Sequence, residues 1–148
     1  MESAILECGV MKLDVYIRTG ADKFTEDNLV KLWHSVGWIE GSAKSPERLL
    51  RSLENSDTVY SAWDDDRLVG LCSAITDGLN TWISYMVVDK EYQNCGIGTA
   101  LLEIMTKRYD YHRIYVQTKK ADKFYEQNGF KETMHSMKLD QFLPHMKG

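Results

Sequence analysis

Residues 81–109 read TWISYMVVDKEYQNCGIGTALLEIMTKRY, and this stretch decides the fold. Thr81–Val88 is rich in β-branched and aromatic residues and reads as a strand. Ile97, Leu101 and Met105, joined by Leu102 and Tyr109, recur at the spacing of one helix face. Between the two stands Gln93-Asn94-Cys95-Gly96-Ile97-Gly98-Thr99. A strand that passes through a glycine-rich turn into a helix, with a new strand predicted at Arg113–Gln117, is a crossover between parallel strands. Glycines at such a turn let backbone N–H groups approach a phosphate closely, and the helix start adds partial positive charge. A bare Gly-x-Gly also occurs in purely structural turns, so its context has to decide. A dinucleotide loop wants a third small residue where Leu101 stands, and a nucleotide P-loop wants a Gly-Lys-Ser/Thr that is missing.

Upstream of this stretch, Met11–Arg18 alternates Leu13, Val15 and Ile17 with polar neighbours, the period of a half-buried strand. Thr25 is the expected N-cap of a helix carrying Leu29, Leu32, Trp33 and Val36, with Glu26 and Asp27 in its first turn and Gly37 as its stop. Ser45-Pro46 starts a second, short helix whose apolar face is Leu49, Leu50 and Leu53. Thr58–Trp63 and Leu68–Ile75 are predicted to pair as a hairpin across Asp64–Asp66, and Asp77-Gly78 makes the next turn. Downstream, Ala121–Asn128 reads as a short helix ended by Gly129, with Phe130 folding back on it. Lys131–Leu139 is expected to close the sheet.

The chain has 148 residues, 43% hydrophobic and 27% charged, which fits one globular domain spanning 1–148 and excludes a mainly disordered or fibrous chain. Eighteen basic residues against 22 acidic ones leave a formal charge of -4, so the whole chain has no electrostatic drive toward DNA or RNA. The longest largely apolar run, Leu68–Ile75, falls far short of the roughly 20 residues a membrane-spanning helix needs. Glu2 and Glu7 stand where a basic leader would, so no membrane partner and a cytoplasmic location are expected. Residues 1–10 are a candidate disordered extension. Cys8, Cys72 and Cys95 make neither a CxxC nor a Cys/His cluster, so neither a disulfide scaffold nor a metal site is expected.

Two ordered motifs resemble the GNAT acyltransferase superfamily. Gln93, Gly96 and Gly98 match its acetyl-CoA loop, Gln/Arg-x-x-Gly-x-Gly/Ala, and Ala121-x-x-Phe124-Tyr125-Glu126-x-x-Gly129-Phe130 is similar to its C-terminal helix segment. The resemblance implies a mixed α/β (α+β) fold. Its splayed, mostly antiparallel sheet holds a central parallel strand pair flanked by helices, and that pair parts near Tyr85–Val88 and Ile114–Val116. It implies acetyl-CoA as co-substrate with no metal: the backbone of Met86, Val87 and Val88 along the pantetheine arm, and the N–H groups of Asn94, Cys95, Gly96, Ile97, Gly98 and Thr99 on the pyrophosphate. Lys119, Lys120 and Lys123 are candidates for the outer phosphate, each also readable as part of a solvated face. Phe124 sits within the cofactor-facing motif. Thr118 occupies a position where many relatives contact the cofactor through asparagine.

Tyr125 corresponds to the family tyrosine that faces the CoA sulfur. A phenol with a reference pKa near 10 stays protonated at neutral pH and can donate to a developing thiolate; alone, the Phe124-Tyr125 pair favours core packing, and it is the double motif that favours the acid role. A backbone N–H near Met86 or Val87 is the candidate for stabilising the carbonyl oxygen. An acceptor amine with a lysine-like pKa of about 10.4 is neutral in only about one molecule in 2,500 at pH 7, so something must take its proton. Many relatives carry an acidic residue where this chain has Tyr85. Glu40, Asp77, His34 and His135 are open alternatives, none with a local motif. Cys95 as an acyl-carrying nucleophile lacks an identifiable partner. Trp38 and Tyr85, with Trp33 and Trp82, are candidates to line an acceptor pocket through cation-π attraction, against plain core packing. The expected activity is transfer of acetyl to a primary amine of a small molecule or peptide, with a homodimer as a candidate arrangement. The alternatives are a non-catalytic acyl-CoA sensor and an interaction module on the same fold.

Overall fold

Apolar residues alternating along the strands and recurring every three or four along the helices leave one solution, a sheet covered on both faces. The computed structural model describes residues 2–8, 11–39, 44–139 and 141. Its strands are β1 (Glu2–Cys8), β2 (Met11–Thr19), β3 (Thr58–Asp64), β4 (Arg67–Thr76), β5 (Asn80–Val88) and β6 (Arg113–Val116). Its helices are α1 (Glu26–Ser35), α2 (Pro46–Glu54), α3 (Ile97–Arg108) and α4 (Asp122–Gln127). The six strands lie in sequence order, antiparallel through β5, and only β5 and β6 run parallel, joined by the α3 crossover. This is the mostly antiparallel sheet with one parallel strand pair, flanked by helices, that the sequence leads one to expect. No helix among the described residues is long and apolar enough to cross a membrane.

Each face of the sheet carries its own core. On one, Leu29, Leu32 and Trp33 of α1 and Leu49 and Leu53 of α2 pack on Val59, Trp63, Leu71 and Val87. On the other, Ile97, Leu101, Leu102 and Met105 of α3 pack on Val15, Ala62, Val69, Cys72 and Ile83. A fully buried leucine such as Leu101 contributes about 1.5–3 kcal/mol of transfer free energy. Gly70 sets how closely α3 approaches: a Cβ there would stand 3.1 Å from Ile97 Cγ2 and 3.3 Å from Leu101 Cδ1. The helix starts are as the residues predict, with Pro46 at the head of α2 and Gly37 in the left-handed region after α1.

Two expectations are corrected. Glu2–Cys8, set aside as a disordered extension, pairs antiparallel with β2 over seven residue pairs, from Glu2–Ile17 to Cys8–Met11. The edge that β2 would otherwise expose is thereby used. Lys131–Leu139 does not close the sheet: it forms no strand, and every residue in it is exposed. Met134 has the opposite parity to Met137 and Leu139, so no single period-two face gathers its apolar side chains, and burial would not pay for pairing. β6 is therefore the last strand among the described residues.

Candidate functional site

The site begins where the parallel pair ends. β6 accompanies β5 only from Asn80–Arg113 to Ile83–Val116. Beyond that, Tyr85, Met86, Val87 and Val88 pair with β4 alone. A bulge marks the parting: Tyr85 pairs with Ser73 and Ile83 with Ala74, leaving Ser84 as an extra residue. The hydroxyls of Ser84 and Ser73 bond at 2.9 Å. The bulge also resets which way the strand faces. Ile83 belongs to the α3-side core and Tyr85, two residues on, packs into the α1-side core, whereas Met86 and Val88 return to α3. No residue pattern in the sequence announced it.

From Val88 the chain runs through Asp89 and a single 3-10 turn, Lys90–Tyr92, into the glycine loop. Gln93 folds back so that its side-chain Nε2–H donates to the Val88 carbonyl at 3.0 Å. Asn94 and Gly96 both take positive φ, 63° and 87°, and Gly96 is the N-cap of α3. No side chain caps this helix and no acidic residue lies in its first turn. The first helical bond runs from Ala100 N–H to the Gly96 carbonyl, 3.0 Å, so the earlier amides have no partner within the helix. Consecutive N–H groups in alternating backbone hands form a concavity suited to an anion. Gly98 has a different reason: a Cβ there would stand 3.3 Å from the Phe124 ring and 3.7 Å from Val88. Its lack of a side chain lets α4, β5 and the start of α3 converge. Cys95 is disulfide-bonded, contrary to expectation, which removes its sulfur as an acyl carrier.

α4 supplies Tyr125. Thr118 Oγ1 accepts from the Ala121 N–H at 2.9 Å, fixing the turn into this helix. Tyr125 is buried, with its ring edge-on to Phe124 at 5.0 Å and to Phe130 at 5.5 Å. Burial, and secondarily the neighbouring Cys72, push its phenol up to about 12. Lys119, Lys120 and Lys123 are exposed around the same turn. A cavity of about 540 Å³ runs along the outer edge of β6, between that strand and residues 130–136, with Tyr125 in its lining.

On the α1 side, Trp33 stands edge-on to Tyr85 at 5.3 Å and to Trp38 at 5.8 Å, bringing the two predicted acceptor-side residues into one aromatic cluster. Trp82 lies apart from it, stacked on Tyr115 at 4.5 Å. Asp77 is spent as a base. Its carboxylate accepts from the amides of Asn80 and Leu79 at 2.7 and 2.9 Å, bonds that hold it down at about 2. His34 and His135 are exposed, and Glu40 lies outside the described residues. Sequence reasoning missed three features: the Ser84 bulge, the Phe124 contact behind Gly98, and the partners of Asp64 in the acidic turn. Tyr92 O–H donates to Asp64 Oδ2 at 2.6 Å.

Comparison with known proteins gives the same architecture. The structure resembles a putative acetyltransferase from Deinococcus radiodurans, at 21% identity and a TM-score of 0.75 over 90% of this chain and 92% of that one. It resembles a GNAT family acetyltransferase from Streptococcus pneumoniae at 22% identity and 0.70, over 86% and 99%. An aminoglycoside N-acetyltransferase solved in complex with CoA is similar at 14% identity and 0.65, over 86% and 94%. At these identities the likeness is one of fold. No curated protein matches the sequence. The acetyltransferase (GNAT) domain family matches residues 55–132, more than half of the sequence and inclusive of the glycine loop and α4, and the chain therefore belongs to the GNAT acetyltransferase family.

Proposed function

We propose that the chain works as one domain that transfers acetyl from acetyl-CoA directly to a primary amine of a small molecule or peptide. The observation that carries this reading is the coincidence, among the described residues, of a strand edge that β6 leaves uncovered and a helix start that no side chain caps. β5 runs past β6 from Ser84 to Val88, and the uncapped start of α3 follows it directly. The first offers a strand edge to an amide-bearing arm; the second offers amides to a diphosphate. Met86–Val88 would hold the pantetheine arm, Asn94–Thr99 the pyrophosphate, and Lys123 and Thr118 the nucleotide end.

In direct transfer the neutral amine nitrogen bonds to the thioester carbonyl carbon, the carbon–sulfur bond breaks, the sulfur leaves with the electron pair, and the nitrogen gives up its proton to water. Tyr125 supplies the proton that the leaving sulfur needs. Its burial keeps the phenol neutral well beyond physiological pH, so the proton is held in place, while the same burial makes it a weaker donor that gives up the proton only as charge develops on the sulfur. An amide of β5 near Met86 or Val87 would stabilise the carbonyl oxygen, and Trp38 and Tyr85 would border the acceptor.

Calorimetric titration with CoA, followed by a free-thiol release assay across a broad amine panel, tests the proposal. Binding with thiol release is the expected result. Binding with no release from any amine would make the chain a sensor, and no binding would leave only the fold.

A further inference from the structure

The glycine loop is preceded by a closed ring of charged and phenolic side chains that the mechanism above does not use. Among the buried polar residues described, Asp89 is the one with a carboxylate. Its N–H makes the last bond to β4, donating to the Val69 carbonyl at 2.8 Å, and its own carbonyl accepts from Tyr92 N–H at 2.8 Å. Its Oδ1 accepts from the Glu91 N–H at 2.9 Å. Its Oδ2 lies 3.2 Å from Nη2 of Arg67, at the hairpin end of β4. The same guanidinium reaches Glu91 at 3.5 Å and lies over the Tyr92 ring at 4.9 Å. Tyr92 completes the circuit through its O–H bond to Asp64, the β3 residue that pairs with Arg67 across the turn.

Two consequences follow. Asp64 and Arg67 belong to the rigid β3–β4 hairpin, so the ring fixes residues 89–92 to the sheet immediately before Gln93 starts the loop. The loop's amides are aimed from a clamped origin, which lowers the ordering cost of binding. The ring also balances charge. Three carboxylates, Asp64, Asp89 and Glu91, stand just upstream of a loop read as an anion site, and each is contacted by Arg67 or by the Tyr92 hydroxyl.

We propose that Arg67, Tyr92 and Asp64 are positioning residues for the donor loop, acting through Asp89 to hold its amides in place for the diphosphate of CoA. This rests on the acetyl-CoA reading given above. The test uses full-length protein and two ligands: CoA, which carries the diphosphate, and pantetheine, which lacks it. Arg67→Lys keeps the charge but loses the planar fork, and Tyr92→Phe keeps the ring and removes only the bond to Asp64. With folding checked by circular dichroism, the dissociation constant for CoA should rise about tenfold in Arg67→Lys and about threefold in Tyr92→Phe. Pantetheine affinity, followed by ligand-observed NMR, should stay within about twofold of wild type. CoA binding unchanged in both variants would overturn the proposal. So would equal losses for both ligands, because a merely structural ring weakens the whole cleft. If wild type itself binds no CoA, the acetyl-CoA reading fails first, which the wild-type titration shows separately.

Discussion

α1 and α3 start in opposite ways, and the difference separates structural from functional sequence. At α1, Thr25 Oγ1 accepts from the Asn28 N–H at 3.1 Å and Asn28 Oδ1 accepts from the Thr25 N–H at 3.0 Å, a reciprocal cap. Glu26 and Asp27 add negative charge to the same turn. That helix end is electrically and sterically closed. At α3 a glycine stands in the capping position, no side-chain cap forms and no acid lies in the first turn. A glycine at the N-cap costs only about a few tenths of a kcal/mol relative to a capping side chain, so α3 forgoes a small part of the stability that α1 keeps. α2 and α4 also start without a side-chain cap but carry Glu47 and Asp122 in their first turns, so among the described helices α3 is set apart by joining an uncapped glycine start to a first turn with no acid.

The strongest test breaks the open end. Gly96 sits at a φ of 87°, where a β-branched residue is strained. Gly96→Val should reduce CoA affinity by at least about 100-fold by combining that strain with a side chain over the amides. A folded variant that binds CoA normally in calorimetry removes the loop from the site.

Tyr125→Phe comes next and separates chemistry from binding. Loss of a positioned acid should slow thiol release by roughly 100-fold while CoA affinity stays within about twofold. Unchanged turnover would take the phenol out of the mechanism. The same variant carries a pH signature. Folding favours the neutral phenol, whose pKa rises from 10.0 to about 12. Its contribution to stability is therefore complete below pH 10 and lost as pH climbs from 10 toward 12. Urea midpoints compared at pH 9 and pH 11.5 should fall further in wild type than in Tyr125→Phe; parallel curves would contradict the shift.

Making α3 resemble α1 sharpens the comparison. Thr99 is the third residue of α3, where a glutamate suits the helix dipole. Thr99→Glu should raise or preserve the melting temperature, since an acid in a first turn contributes about 0.3–1 kcal/mol. It should also weaken CoA binding about tenfold through charge repulsion and lost amide access. A variant that gains neither stability nor discrimination against CoA would show that this helix end is not an anion site.

These contrasts explain what the sequence disclosed. Helix starts are local: Thr25 and Asn28 lie three residues apart, as do Gly96 and Thr99, so their residue types suffice. Strand order from β3 through β5 follows from short hairpins and is local too, whereas β2 reaches β3 only across α1 and α2. The parting of β5 from β6 needed only the loop motif and its family resemblance, but the Ser84 bulge that turns Tyr85 toward α1 depends on how Ser73 and Ala74 register across the sheet. The Asp64–Tyr92 bond spans 28 residues and is invisible in a run of three aspartates that reads as a solvated turn. Lys131–Leu139 forms no strand because its apolar residues do not share a parity, a feature that its place at the end of the sheet does not reveal.

The smallest expected effect closes the comparison from the other side. Thr25→Ala removes the side-chain oxygen that caps α1, and the Asn28 amide then has only water. The cost should be about 1 kcal/mol, read as a lowered urea midpoint at unchanged m-value. α1 carries Trp33, which holds Trp38 and Tyr85, and its Ser35 Oγ accepts from the Lys90 N–H at 3.4 Å, a contact at the end of the helix opposite to Thr25. CoA affinity should therefore be unaltered within about 1.5-fold, a change below 0.3 kcal/mol. If Thr25→Ala weakened CoA binding as much as Thr99→Glu does, the two helix ends would be energetically coupled, and an open α3 start could no longer be explained by its own residues alone.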